Sequence, residues 1–200
     1  MKIAKVDIVR AALDVLNEVG LDKLSTRMVA EKLGVQQPAI YWHMTDKRAL
    51  IDAMNAEIMR SSHLYRDAQA DEDWKSYLMR HSLSFRQALL SFRDGARVHA
   101  GSRSEASDAD TGERQLRFLT EQGFEPGFAL RMLVTLSRFT VGSVLEEQAE
   151  AAYPPSTQSG QEKDRPLLQM AFADYTASST DTFFTFGVNV IIDGFSAAKK

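Results

Sequence analysis

The 200-residue chain has no cysteine. Disulfides, thiolate metal centres and a thiol nucleophile are therefore excluded. The start, MKIAKVD, lacks the continuous apolar run of a secretion signal. No apolar stretch approaches the length that crosses a bilayer, so a cytoplasmic protein with no membrane partner is expected. Internal repeats are missing, and so is the strict apolar–polar alternation of strands. A general cationic surface is missing too: the net charge is −3, which argues against a protein that coats nucleic acid along its whole length. With 44% hydrophobic and 26% charged residues, the composition is that of a soluble globular protein.

What is there reads as helix nearly throughout. Val9, Ala12, Leu13 and Leu16 recur at i, i+3, i+4 and i+7 and form a first amphipathic helix that Gly20 closes. Ser25 or Thr26 can cap a short second helix whose inner face carries Val29, Ala30 and Leu33. Gly34 ends it and permits a tight turn. Pro38 suits the first turn of a third helix, where its missing N–H removes no bond. A fourth runs from Lys47 to about His63 with Leu50, Met54 and Ile58 in line. Residues 68–73 read as a connection. Longer helices are expected over about 73–92, 111–122 and 126–151, then 166–175 and 180–198. Residues 152–165, with adjacent prolines, serines and charge, read as a mobile loop. The fold class is all-α. A helix-turn-helix domain (1–46) and a connecting helix (47–63) precede a larger helical half (64–200).

Two short helices separated by a glycine turn match helix-turn-helix geometry, although on spacing alone any small helical bundle fits as well. The third helix tips the balance. Gln36, Gln37, Tyr41, Trp42 and His43 crowd large amphipathic side chains onto a few residues, which a helix that only packs does not do. Gln can bond adenine through both amide atoms, an Ala methyl can meet a thymine methyl, and Tyr and His can reach phosphates. Lys23, Arg27, Lys32, Lys47 and Arg48 face only Glu31 and Asp46, a local positive balance on an acidic chain.

The run QQPAIYWHMTDKRALIDA (36–53), within LSTRMVAEKLGVQQPAIYWHMTDKRALIDAM (24–54), resembles the DNA-binding segment of the TetR family of repressors, and above all its tetracycline-responsive members. The similarity continues through DWKSYL (73–78), SFRQALL (84–90), FRDGARVHAG (92–101), RQLRFL (114–119), EQGF (121–124) and VGSVLEEQ (141–148). The resemblance implies a non-enzymatic repressor that binds a palindromic operator as a homodimer and controls a drug-efflux gene. It assigns base contacts to Arg27, Gln37, Pro38, Ala39 and Tyr41. Phosphate contacts fall to Thr26, Tyr41, His43 and Lys47, while Trp42 mostly packs. Ala39 stands where many relatives have Thr, and Gln36 where some have Glu, so the preferred operator can differ.

The same resemblance implies an effector that arrives as a tetracycline–Mg²⁺ chelate. His99 would ligate the metal directly. Ser102, and Glu146 from the other subunit, would each hold a metal-bound water. His63, His81, Phe85, Arg103 and Gln115 would contact the drug, with Leu130, Leu133, Leu168 and Phe172 as an apolar wall. Three positions depart from the family: His81 replaces an Asn that bonds the drug, Ser104 replaces a Pro, and Gly112 replaces an apolar residue. A family member induced by another planar or apolar drug is therefore the alternative. Read from the residues alone, each His or Glu also fits an ordinary solvated side chain. A helical enzyme is disfavoured because no nucleophile, second carboxylate or cofactor motif accompanies them, and a helical scaffold whose N-terminal bundle only packs stays open. Leu133, Ser137, Val141 and Val144 on the eighth helix, with Phe183, Gly187, Val190 and Gly194 on the last, fit either intrachain core or the intersubunit four-helix bundle the resemblance implies.

Overall fold

A computed structural model describes residues 3–103, 106–152 and 165–198. Among them the chain forms ten helices and no strand. Helix α1 (Lys5–Val19) buries Val9, Ala12, Leu13 and Leu16, as the spacing predicts. Helix α2 (Thr26–Leu33) is capped by Ser25, whose Oγ accepts the Met28 N–H at 3.3 Å. Gly34 follows it at φ 68°, a left-handed conformation that glycine adopts without steric cost. Helix α3 (Gln37–Tyr41) carries Pro38 in its first turn, and α4 (Lys47–Ser62) is capped by Asp46.

The second half contains α5 (Trp74–Leu90), α6 (Gly95–Gly101), α7 (Ala106–Glu121), α8 (Pro126–Ala152), α9 (Pro166–Ala177) and α10 (Thr180–Ala198). Helix α8 is the central strut, packed against α5, α6, α7 and α10. Contrary to the sequence reading, α8 is long and apolar enough by composition to cross a membrane. Arg131 and Arg138 are the charges in its apolar run. Its buried positions Ala129, Met132, Leu136, Thr140 and Val144 recur every three or four residues, the spacing of a core helix with one packed side. Residues 153–164 of the expected mobile loop, and Ser104, lie outside the described residues.

Helix α6 escaped the periodicity reading. It is short, has glycine at both ends, and starts from Asp94 at φ 56°. Aspartate tolerates that left-handed backbone because its short side chain bonds locally, and here Asp94 Oδ2 accepts the Leu21 N–H at 2.7 Å. A Cβ on Gly95 would lie 2.1 Å from the Leu89 carbonyl oxygen, so only glycine fits where α6 leaves α5.

Two apolar clusters hold the chain. One joins α1–α4 to Phe85, Ala88 and Leu89 of α5, Ala96 and Val98 of α6 and Val144 of α8. The other gathers Tyr77, Leu78, Leu119, Met132, Leu136, Phe184 and Val188 from α5, α7, α8 and α10. Each large side chain removed from water there contributes roughly 1.5–3 kcal/mol. Helix α4 therefore shares one core with the N-terminal head and with α5 and α6. Arg86, nearly buried, ties α5 to α8 through both Glu147 carboxylate oxygens (2.9 and 2.8 Å) and to α10 through Asp181 (2.7 Å). Such a pair specifies arrangement more than it adds stability.

Of the positions that fitted two packing readings, Val144 is buried within the chain. A Cβ on Gly187 would lie 2.3 Å from the Phe139 ring of α8, so this glycine serves an intrachain approach. Phe183 and Val190 remain about half exposed, and a Cβ on Gly194 would meet no other described residue within 4 Å. Helix α9 has no buried residue, and Leu167, Leu168, Met170, Phe172 and Tyr175 are all exposed.

Candidate functional site

The head carries its polar residues on one surface because α3 is anchored by a single side chain. Ile40 is fully buried and Met44, one turn on, nearly so. At 100° per residue, Trp42 then falls opposite Ile40, and it is 88% exposed. The expectation that Trp42 mostly packs is thus overturned: Ile40 and Met44 take the inward positions. Arg27, Pro38, Tyr41, His43 and Lys47 are exposed, Gln37 and Ala39 partly so. Thr26 is buried and sits in a polar triad, with Gln37 Nε2 donating to its Oγ1 at 2.9 Å and Tyr41 Oη 3.3 Å away. Arg27 is paired with Glu31 at 2.8 Å. At the α4 N-terminus the Ala49 N–H is already taken by Asp46 at 2.7 Å. Gln37 and Arg27 thus already hold internal partners in Thr26 and Glu31.

The second site is a cleft of roughly 490 Å³ among α4, α5, α6, α7 and α8. It brings together His63, His81, Phe85, His99, Ser102, Gln115, Leu130 and Leu133 from five stretches of chain. Gly112 also lines it. Arg103 does not: its side chain is exposed, and its backbone N–H donates to Asp52 Oδ1 of α4 at 2.8 Å. Glu146 faces a different cleft with Arg138, Glu147 and Tyr175, and is exposed. Leu168 and Phe172 are absent from the cleft lining; both are exposed on α9, which meets α10 through Tyr175, edge-on to Phe183 at 5.5 Å.

Within the cleft the rings form a connected series. Phe85 meets His99 edge-on at 5.0 Å between centroids and lies 5.5 Å from His63, which meets His81 at 4.7 Å. Burial pushes both His63 and His81 well below the usual imidazole value, to about 2 and about 4. His99 Nδ1 lies 3.0 Å from Asn55 Oδ1 of α4. An amide oxygen only accepts, so His99 Nδ1 carries a proton in this pair.

Asn55, Met59, Arg66, Thr111, Val134 and Ser137 also line the cleft and were missed from sequence. Asn55 stands three residues after Asp52, so α4 presents both on one face toward α6. That i, i+3 pair of polar residues on a core helix is the signal that could have found it. Asn55 bonds His99 in the last turn of α6 and Asp52 accepts the Arg103 N–H just beyond it, while Asp94 and Arg97 bind Leu21 N–H and Asp22 of the head.

The family model for bacterial regulatory proteins, tetR family, matches residues 8–54, and that for the tetracyclin repressor-like C-terminal domain matches residues 68–198. The chain belongs to the tetR family. It is 48% identical over 195 residues to the tetracycline repressor protein class A from transposon 1721 of Escherichia coli, covering 96% of this chain and 90% of that one. Among solved structures it resembles TetR(class A) in complex with 5a,6-anhydrotetracycline and magnesium, with a TM-score of 0.79, 42% identity and coverage of 99% and 100%. It also resembles a single-substitution variant of TetR from Acinetobacter baumannii AYE in complex with minocycline, at a TM-score of 0.84, 40% identity and coverage of 100% and 99%. For this tetR-family chain the all-α expectation, with a helix-turn-helix head ahead of a helical C-terminal domain, holds.

Proposed function

We propose that the chain is a transcriptional repressor that binds a palindromic operator as a homodimer and is released by a tetracycline–Mg²⁺ chelate. The carrying observation is the cleft in which His63, His81, Phe85, His99, Ser102 and Gln115 converge from separate helices, one of which, α4, also belongs to the core of the DNA-reading head. Residues 1–46 read DNA, 47–63 connect, and 64–200 bind effector and partner. The cytoplasm is the compartment where operator and drug meet.

The residues present fit the metal. Among the described residues no group of three or more His, Asp or Glu could enclose a cation. Mg²⁺ prefers oxygen ligands and keeps several waters, so a single imidazole suits an ion that arrives with oxygens from the drug. His99 Nε2 would hold it and Ser102 would orient a bound water, with Glu146 of a second subunit doing the same. Bound there, Mg²⁺ would neutralise the drug's ionised oxygens. Leu130 and Leu133 offer an apolar wall, and Phe85 a ring face.

Release follows from connectivity. A ligand that moves α6 pulls on α4 through Asn55 and Asp52, and on the α1–α2 turn through Asp94 and Arg97. Either motion changes the spacing of the two reading heads, which a palindrome fixes at about 34–36 Å. The effector must favour the displaced arrangement by several kcal/mol to turn near-full occupancy into near-full release. Base contacts are assigned to Arg27, Gln37, Pro38, Ala39 and Tyr41, and phosphate contacts to Thr26, Tyr41, His43 and Lys47.

The deciding experiment is a titration with tetracycline, with and without Mg²⁺, followed by drug fluorescence. Saturable Mg²⁺-dependent binding that His99→Ala abolishes is the expected result. Absence of binding at micromolar drug would leave a DNA-binding repressor for another planar or apolar ligand, a reading that His81 and Gly112 favour.

A further inference from the structure

Helix ends leave backbone groups that the helix itself cannot bond, and the corner between α5 and α6 holds two sets of them. Helix α5 stops at Leu90, so the carbonyls near its end lack the N–H groups of a further turn. Helix α6 starts from Asp94, a residue type that ordinarily caps a helix start with its side chain. Asp94 makes no such cap here. Its carboxylate is turned to the head instead, with Oδ2 accepting the Leu21 N–H at 2.7 Å and Oδ1 lying 3.3 Å from Arg97.

Both sets are met by one side chain of a third helix. Gln148 of α8 directs Nε2 at the carbonyl oxygens of Leu89 (3.3 Å) and Phe92 (2.9 Å). Carbonyls only accept, so the amide NH₂ faces them and both of its protons are used. The amide oxygen accepts the Ala96 N–H at 3.4 Å. The Leu89 carbonyl is also the group that Gly95 approaches so closely that a Cβ would lie 2.1 Å away. The start of α6 is therefore fixed to α5 and α8 at one point. Its far end is bonded elsewhere, His99 to Asn55 and the Arg103 N–H to Asp52, both on α4.

We infer that Gln148 is a positioning residue that anchors the start of α6, so that a pull on His99 is delivered to α4. With the anchor in place the last turn of α6 yields, and α4 follows through Asn55 and Asp52. Without it α6 shifts as a whole, the effector still binds, and the reading heads keep more of their spacing. The preceding side chains of α8 do not share this task, since Glu147 bonds Arg86 and Glu146 is exposed in another cleft. The inference deepens the proposed release mechanism and rests on it for the operator readout.

The test uses the full-length protein, one operator fragment throughout, and anhydrotetracycline with Mg²⁺ as the probe. Gln148→Met keeps the side chain's length and removes all three bonds. Gln148→Lys keeps donors for the α5 carbonyls and removes the acceptor for Ala96, and it serves if the Met variant does not fold. Operator affinity is measured with and without the chelate, beside chelate affinity and the thermal midpoint. Chelate affinity and chelate-free operator affinity should stay within a few-fold of wild type. The ratio of the two operator affinities should shrink about tenfold, the worth of one or two hydrogen bonds. Amide exchange at Ala96 should quicken in both variants while α1 stays protected. An unchanged ratio in a folded variant would overturn the inference. So would parallel losses of operator affinity, chelate affinity and midpoint, which are the mark of packing alone. If the wild type binds no chelate, the tetracycline reading falls and amide exchange decides the anchor: faster exchange at Ala96 upholds it, and unchanged exchange overturns it.

Discussion

Asn55→Leu tests whether the bond from α4 to His99 organises the effector site. The leucine keeps approximate volume at a buried position of α4 and removes the acceptor 3.0 Å from His99 Nδ1. Two effects follow. His99 Nδ1–H loses its partner in a partly buried setting, and the ring no longer has one preferred tautomer or orientation. Groups that orient a metal-binding imidazole in this way are worth about 10–100-fold in metal affinity, or roughly 1.4–2.7 kcal/mol. The same substitution removes a buried amide and adds apolar contacts, so global stability should change by less than about 1.5 kcal/mol. The assay pairs a fluorescence titration of anhydrotetracycline at fixed Mg²⁺ with an operator gel-shift and a thermal midpoint. The expected result is a chelate bound about 10–100-fold more weakly, with operator affinity within a few-fold of wild type. Asn55→Asp, which retains the acceptor, should recover most of the loss. Unchanged chelate affinity in a folded Asn55→Leu protein would refute the assignment of His99 as the oriented ligand.

Other outcomes are fixed by the same geometry. Gln37→Ala should relax base preference at one operator position, at about 1–3 kcal/mol, whereas Lys47→Ala should weaken all sequences alike and reduce the salt slope by about one; gel-shifts at several salt concentrations separate them, and equal losses for both would count against the reading face. Stability should fall as pH drops below 6.5, because unfolded histidines gain protons that His63 and His81, held near 2 and 4 by burial, refuse. The loss is up to about 1.4 kcal/mol per pH unit for each ring and is absent above about 6.5. The lowered carboxyl groups of Asp22, Glu72 and Asp73 act in the same sense only below about their ordinary values of 3.8 to 4.5. Urea titrations between about pH 7.5 and 5 should find a shallower slope in His81→Asn, and a pH-independent midpoint would contradict the buried neutral pair. Gly95→Ala should be severely destabilising because its Cβ would meet backbone, and Gly187→Ala less so, roughly 1–3 kcal/mol, since Phe139 can turn; equal thermal midpoints would argue against both close approaches.

The local pattern carried much of the architecture. Apolar residues every three or four positions, Ser25 before α2, Gly34 after it and Pro38 within α3 act on backbone a few residues away, so sequence order alone determined those helices and the reading head. The residues proposed to meet the effector were assigned through resemblance to the TetR family, and the cleft gathers all of those from His63 to Leu133 except Arg103. Helix α6 was not legible by periodicity, since its start depends on Asp94 bonding Leu21, 73 residues away. The exposure of Trp42 follows from Ile40 and Met44 filling the core side of α3. Asn55 meets His99 across 44 residues, and Gln115 meets His81 across 34. Donor direction, tautomer and neutrality belong to such pairs, and no single residue carries them. They exist only once packing has brought separate helices within hydrogen-bonding distance and removed the water that would otherwise satisfy each group alone.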